Sequence, residues 1–451
     1  MKHNSMDNDI SYKKVNDDVI RSMTESGRLY YAMLILSVLG AGLLWGAPWL
    51  YQIYVGQGVT GLNTPSFWGI YLTNFIFWIG ISHSGTLLSA ILFITQTPWR
   101  RSIYRSAEAM TFFSVLTAAV MIFVHMGRPW LFYWTIPYPN QRELWLNFQS
   151  PLLFDVFAIS TYMTSSMIFL YIGSIPDLAA VRDRVTGWRK DLYAFLCLGW
   201  RGTDAEWHWL TRAYTYFAVF IIPLAVSVHS IVSWDFALSK VPGLNKTVFA
   251  PYFVIGAIYS GSAGIVTLMV ILRKALKMEK YITALHFDRL GILLVVMSSL
   301  WTYVNVLEVF TGWYANTSFE NEALIYRMMT PPFAWLFWTM ILTNTFMPLL
   351  LVARKARSSI VISLIVSIGI NIGMWLERYL IISTSLPRKF LPYMWHDYVP
   401  SLVEISITIG SFSFFIMLFL LFVKLWPSIS IYEVKEDIGI PMRTEKKTGA
   451  K

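Results

Sequence analysis

Phe77-Trp78-Ile79-Gly80-Ile81-Ser82-His83-Ser84-Gly85 returns 176 residues later as Phe253-Val254-Ile255-Gly256-Ala257-Ile258-Tyr259-Ser260-Gly261, with five of nine positions identical. Neither copy carries Asp, Glu, Lys or Arg, and both mix bulky apolar residues with Gly and Ser. That composition reads as a helix inside lipid whose small residues admit a neighbouring helix at close range. At an offset of 180 the next apolar segment follows, with Glu108 over Asp288 and Val124-His125 over Val304-Asn305. An even number of spans separates the copies, so they run parallel, and the chain reads as two four-helix bundles with one flanking helix at each end. Chance similarity between two Gly/Ser-containing apolar helices is the alternative. The copies diverge where chemistry would sit: His83 becomes Tyr259 and His125 becomes Asn305.

Outward from these helices, the whole chain of 451 residues has the same character. It is 56% hydrophobic and only 14% charged, with a mean hydropathy of +0.52, whereas soluble domains carry about 25% charged residues. Thirty Phe, 24 Tyr and 20 Trp suit rings placed at two membrane interfaces. A span needs roughly 20 apolar residues. On that template ten segments stand out, at about 29–50, 66–96, 107–127, 150–175, 213–239, 247–274, 284–312, 331–353, 358–386 and 399–426. The expected fold is therefore all-α, a polytopic membrane protein with ten transmembrane helices. The first 28 residues are polar and lack the apolar core of a cleaved secretory signal, so the first span is expected to direct insertion.

Net charge is +10, from 36 Lys and Arg against 26 Asp and Glu. In so apolar a chain this reads as topology rather than nucleic-acid binding. The N-terminus, the loops after even-numbered spans and the C-terminus hold 27 Lys and Arg, whereas the loops after odd-numbered spans hold 7. Positive charge stays on the cytoplasmic side, so both termini are expected there. The loops Gly127 to Gln149 and Gly312 to Thr330 then lie on the outer face. The expected organisation is a cytoplasmic segment 1–28; a flanking helix with its outer loop, 29–65; a first bundle, 66–239; a second bundle, 240–386; an outer loop with the last flanking helix, 387–426; and a cytoplasmic tail, 427–451.

Ionisable groups within spans carry the functional expectation. His125 closes span 3 and Asp155 opens span 4, both toward the outer face. A quinol gives up two protons with its two electrons, so a site that oxidises it needs an acceptor at each hydroxyl, and a His with a carboxylate supplies both. A pair that merely ties two helices together is the rival reading. His83 reads equally as a packing group or a proton relay. Glu308, Glu377, Arg378 and Glu404 fall in later spans. Adjacent helical residues point about 100° apart, so Glu377 and Arg378 need not pair, and Arg378 is free to face the first bundle and a quinone oxygen. His229 and Asp235, at the outer end of span 5, read as a proton exit or as groups reaching interfacial water.

Cofactor expectations are mostly negative. One cysteine, Cys197, rules out a cysteine-held iron–sulfur cluster or four-Cys zinc site in this chain alone, and no bound metal is expected. Bound haem would need facing histidines, yet His83, His125 and His229 are expected at different depths. No Walker or dinucleotide glycine motif is present.

Together, Phe77 to Ala90, Trp99 to Thr111, His125-Met126-Gly127-Arg128-Pro129-Trp130 and Trp200-Arg201-Gly202 resemble the NrfD/PsrC family of membrane subunits. Within it they are most similar to the quinol-oxidising subunit of bacterial alternative complex III. The resemblance implies two four-helix bundles with two extra helices in a bacterial inner membrane. It implies that the subunit binds quinol, menaquinol or ubiquinol, near the periplasmic face and passes electrons to an iron–sulfur cluster on a peripheral partner. Other implied partners are a multihaem cytochrome c subunit, which carries the haems, a paralogous NrfD-like membrane subunit and lipids, but no nucleic acid. His125 and Asp155 become the quinol partners, with Arg378 a third member. His83, Glu108 and Asp288 become proton-path positions, with proton translocation coupled to turnover. The paralogue without a quinol site stays open.

Two other classes remain in play. A secondary transporter would share the parallel repeat but would place charges at mid-membrane in both halves. A structural anchor for a peripheral redox module would tolerate loss of the His125/Asp155 pair.

Overall fold

A computed structural model describes residues 12–136 and 151–437. Among them the regular structure is all helical, and ten helices are long and apolar enough to cross a membrane. The expected segments before residue 12, after 437 and between 137 and 150 lie outside the described residues. In chain order the helices are α1 (Tyr12–Thr24), α2 (Arg28–Val55), α3 (Ile70–Ile94), α4 (Tyr104–His125), α5 (Pro151–Arg182), α6 (Trp188–Leu196) and α7 (Asp204–Ala237). They continue as α8 (Phe249–Ala275), α9 (Ala284–Ala315), α10 (Ser318–Met329), α11 (Phe333–Val352), α12 (Ile360–Ser385), α13 (Leu402–Leu425) and α14 (Ile431–Asp437).

The spans are α2 to α5, α7 to α9 and α11 to α13. The sequence gives no expectation of the four others. Each is too short or too polar to cross a bilayer, which is why a search for long apolar segments passes over them. The amphipathic α1 buries Val15, Val19 and Met23 against α13, α14 and α5. Lys424 Nζ donates to the carbonyl oxygens of Ser22 and Glu25, both at 2.6 Å, so the first and last spans meet at one end of the molecule, the terminal face.

Helices α3, α4, α5 and α7 pack on one another, as do α8, α9, α11 and α12, and α3 joins the two groups through α8. The repeated segments meet at that seam. Ser84 Oγ donates to the carbonyl of Ile258 at 2.7 Å, and a Cβ on Gly261 would lie 2.6 Å from that of Ser84. Glycine and serine are thus what let α3 and α8 touch along their backbones.

Two spans leave α geometry. Residues 41–46 of α2 and 342–346 of α11 are π-helical. A π-turn releases backbone carbonyls from the ladder, and the freed oxygen of Asn344 accepts from Tyr259 Oη at 2.9 Å and Ser298 Oγ at 2.7 Å. Glu404, expected as an intramembrane charge, instead completes a capping box with Ser401 at the start of α13. It also accepts from Tyr398 Oη and the amide of Gly61, both at 2.7 Å. Its role is to tie the loop after α2 to the last span.

Candidate functional site

His125 and Asp155 are carried to the face opposite the termini because α4 ends there and α5 begins there. The turn after His125 is fixed by its neighbours. Gln57 Nε2 donates to the His125 carbonyl at 2.8 Å, and Gln52 Nε2 to that of Val124 at 3.0 Å. Gly127 has φ +70, and a Cβ on it would strike Gln57, so this turn requires glycine. These restraints position an imidazole whose Nδ1 has no hydrogen-bond partner among the described residues.

Asp155 is buried, and Asp235 on α7 is its carboxyl neighbour. The Oδ1 atoms of both remain without a partner. Unsatisfied buried acceptors are rare in folded proteins and ask for a ligand or water. The arrangement can therefore receive hydroxyl groups and take their protons. The sequence reads Asp235 only as an exit or an interfacial group. Its place seven residues beyond buried Val228 and three beyond buried Val232, on one inward stripe of α7, is the available signal.

Two turns deeper, His83 and His229 meet edge to face with ring centroids 4.6 Å apart, and His83 stacks on Tyr162 at 4.8 Å. The expectation that these histidines lie at different depths is therefore corrected. Rings in direct contact leave no room for a macrocycle between them, so the pair does not form a bis-histidine haem site. His83 Nδ1 lies 2.6 Å from the Ile79 carbonyl, while His83 Nε2 and both nitrogens of His229 have no side-chain or backbone bond among the described residues. Tyr162 Oη shares a hydrogen bond with Thr86 at 2.8 Å.

Nearer the terminal face, six residues beyond His83 on α3, Ser89 Oγ donates to Glu108 at 2.7 Å, as does Tyr214 Oη. Arg105 lies beside Glu108 and bonds Asp177 at 3.0 Å, the carbonyl of Gly173 at 2.5 Å and that of Leu170 at 3.0 Å. These last contacts fall within a turn or so of Pro176, which lies inside α5. Asp177 escapes the sequence reading because span 4 is expected to end near 175, whereas α5 runs to Arg182.

In the second half, Arg378 pairs with Glu377, a contact the sequence left open. Neighbours on a helix diverge at Cβ, but the long guanidinium arm reaches around to the carboxylate. The guanidinium lies 4.6 Å from the Phe253 ring, on the ring that also touches His229. No hydrogen bond or ion pair joins Arg378 to His125 or Asp155 among the described residues. Trp301 Nε1 donates to Glu377 at 3.1 Å, and Asn305 Nδ2 to Tyr252 Oη at 2.8 Å. One turn on, Glu308 is held by Lys246 at 2.6 Å and Arg327 at 3.3 Å. Both cations fall among the outer-loop charges in the sequence count, yet they are buried. Asp288, near the terminal face, pairs with Arg357 at 2.9 Å. Among the described residues no three His, Cys, Asp or Glu gather as a metal site.

The family model described as "Polysulphide reductase, NrfD" matches residues 58–388. A putative dimethyl sulfoxide reductase membrane subunit of Halobacterium salinarum is 27% identical over 246 residues, 54% of this chain and 51% of that one. A selenate reductase subunit of Mesobacillus selenatarsenatis is 21% identical over 441 residues, 92% of this chain and 97% of that one. The chain thus spans about half the length of the first relative and nearly all of the second.

Proposed function

The chain belongs to the polysulphide reductase NrfD family, and on that premise we propose that it is the quinol-oxidising membrane subunit of a respiratory oxidoreductase complex. The observation that carries the reading is the group of acceptors at the face opposite the termini: His125 Nδ1 and the two Oδ1 atoms of the Asp155–Asp235 pair, none with a partner among the described residues. Quinol brings two hydroxyls and two electrons. His125 accepts one hydroxyl proton and the carboxyl pair the other, while the restraints on the His125 turn keep the acceptors oriented. Electrons pass to an iron–sulfur cluster on a peripheral partner, since the single cysteine cannot hold one. Arg378 acts from deeper in the seam, through His229.

The relatives' names favour a complex that reduces a terminal acceptor, as dimethyl sulfoxide and selenate reductases do. The first-half motifs favour alternative complex III, with a multihaem cytochrome c and a paralogous NrfD-like subunit as partners. The set of polypeptides in the purified assembly separates the two. Proton release at this face, with His83 and Glu108 as relay positions behind it and Asp288 their counterpart in the second half, couples turnover to proton movement. The functional test is quinol-dependent reduction of the partner's cluster, followed by electron paramagnetic resonance in the purified assembly. Rapid appearance of the reduced-cluster signal is expected, and a cluster that stays oxidised with excess quinol refutes the reading.

A further inference from the structure

At the terminal face a cavity of about 340 Å³ is lined by Gln96, Thr97, Arg100, Tyr214, Tyr432 and Glu433 among others. It has room for several waters. Its inner wall is Tyr214, whose hydroxyl donates to buried Glu108. Its outer wall is α14. That helix is fastened in two ways. Asp177 Oδ1 accepts the backbone N–H groups of Ile431 and Tyr432, both at 3.0 Å, and Arg100 pairs with Glu433 at 2.6 Å with both side chains buried. Ser106 Oγ holds the preceding turn through the carbonyl of Ser428 at 2.6 Å.

Around this wall, Arg100 Nη1, Arg105 Nε, Glu108 Oε2, Ser428 Oγ and Glu433 Oε2 are buried without a hydrogen-bond partner among the described residues. So many unsatisfied polar atoms in one place mark a hydrated cluster rather than a packed core. We propose that the cavity is the water-filled mouth through which Glu108 exchanges protons with the terminal face, and that residues 428–437 are its lid, latched by Arg100 and Glu433. Water in the mouth reaches Tyr214, and Tyr214 bonds the carboxyl, so lifting α14 exposes Glu108 and seating it isolates the carboxyl. The proposal rests on the reading of Glu108 as a proton carrier.

The test labels carboxyls of the intact assembly with a water-soluble carbodiimide and an amine, and reads Glu108 by peptide mass spectrometry. Glu377, buried away from the mouth, is the internal reference. Glu433→Gln is expected to speed labelling of Glu108 roughly tenfold or more, because access follows the equilibrium between seated and lifted lid, and to leave Glu377 unchanged. The double exchange Arg100→Glu with Glu433→Arg restores slow labelling. Unchanged labelling in Glu433→Gln overturns the lid whatever Glu108 does in turnover. Faster labelling together with normal turnover of Glu108→Gln retains the mouth and overturns the proton-carrier reading.

Discussion

Replacing Gly85 by alanine tests how closely α3 and α4 are pressed together. A Cβ there would lie 2.0 Å from the backbone oxygen of Ala107 and 2.3 Å from Thr111 Oγ1. Real Cβ contacts start above 3 Å, so the helices must part by about an ångström at Ala107, and Thr111 must shift with them. Thr111 Oγ1 accepts from the amide of Thr86 at 2.9 Å and donates to the Ser82 carbonyl at 2.6 Å. Overpacking costs about 1–3 kcal/mol and two lost hydrogen bonds about 1 kcal/mol each, against a gain of about 1 kcal/mol from alanine in a helix. The net loss is about 2–4 kcal/mol, or a melting midpoint lower by roughly 2–4 °C for a chain of this length. Gly42→Ala is the control, since nothing lies within 4 Å of its added Cβ. Thermal unfolding in one detergent, followed by tryptophan fluorescence, compares the two. Equal midpoints would refute the backbone contact.

Other outcomes follow from the same contacts. Glu308→Leu alone leaves Lys246 and Arg327 buried with no carboxylate and costs about 3–5 kcal/mol, whereas Lys246→Met/Glu308→Leu/Arg327→Met recovers much of that; a triple variant that melts no higher than the single one contradicts the pairing. Outside the spans, burial works to raise the Asp397 carboxyl, but hydrogen bonds from Tyr326 and Arg388 outweigh it and hold the group below the usual carboxylate range. A depressed carboxyl adds stability that is present above its unfolded pKa and lost as pH falls through its folded one. Melting scans from about pH 6 to pH 3 should therefore show a steeper acid decline in the parent than in Asp397→Asn, and parallel curves would remove that contribution. If Asp155 and Asp235 share one proton, each Asn variant slows quinol oxidation and the double variant adds little further loss. Additive losses in steady-state assays would separate their roles.

Much of the fold is legible in the sequence because a span is a length criterion, and the ten helices follow the apolar runs closely. The helices off the membrane are not legible, since a short amphipathic segment such as α1 reads as polar until its partners are known. His125 and Asp155 stand out as candidates in the sequence because each sits at the end of an apolar run on a matching face. His229 and Asp235 are undervalued because their worth depends on which stripe of α7 turns inward, and that is set by packing. Lys246 and Arg327 count as loop charges because nothing local reveals that a loop folds back onto Glu308. The Glu377–Arg378 pair stays open in the sequence because Cβ directions alone do not fix the reach of a guanidinium.

The central claim is that the acceptors near His125 take the protons of quinol. Quinol-dependent turnover of the purified assembly carrying Asp155→Asn, with cofactor content and polypeptide stoichiometry matched to the parent, tests it most directly. Loss of a proton acceptor predicts a fall of roughly 100-fold or more in turnover with the complex intact. Near-normal turnover in an intact complex would contradict the account and move the site elsewhere.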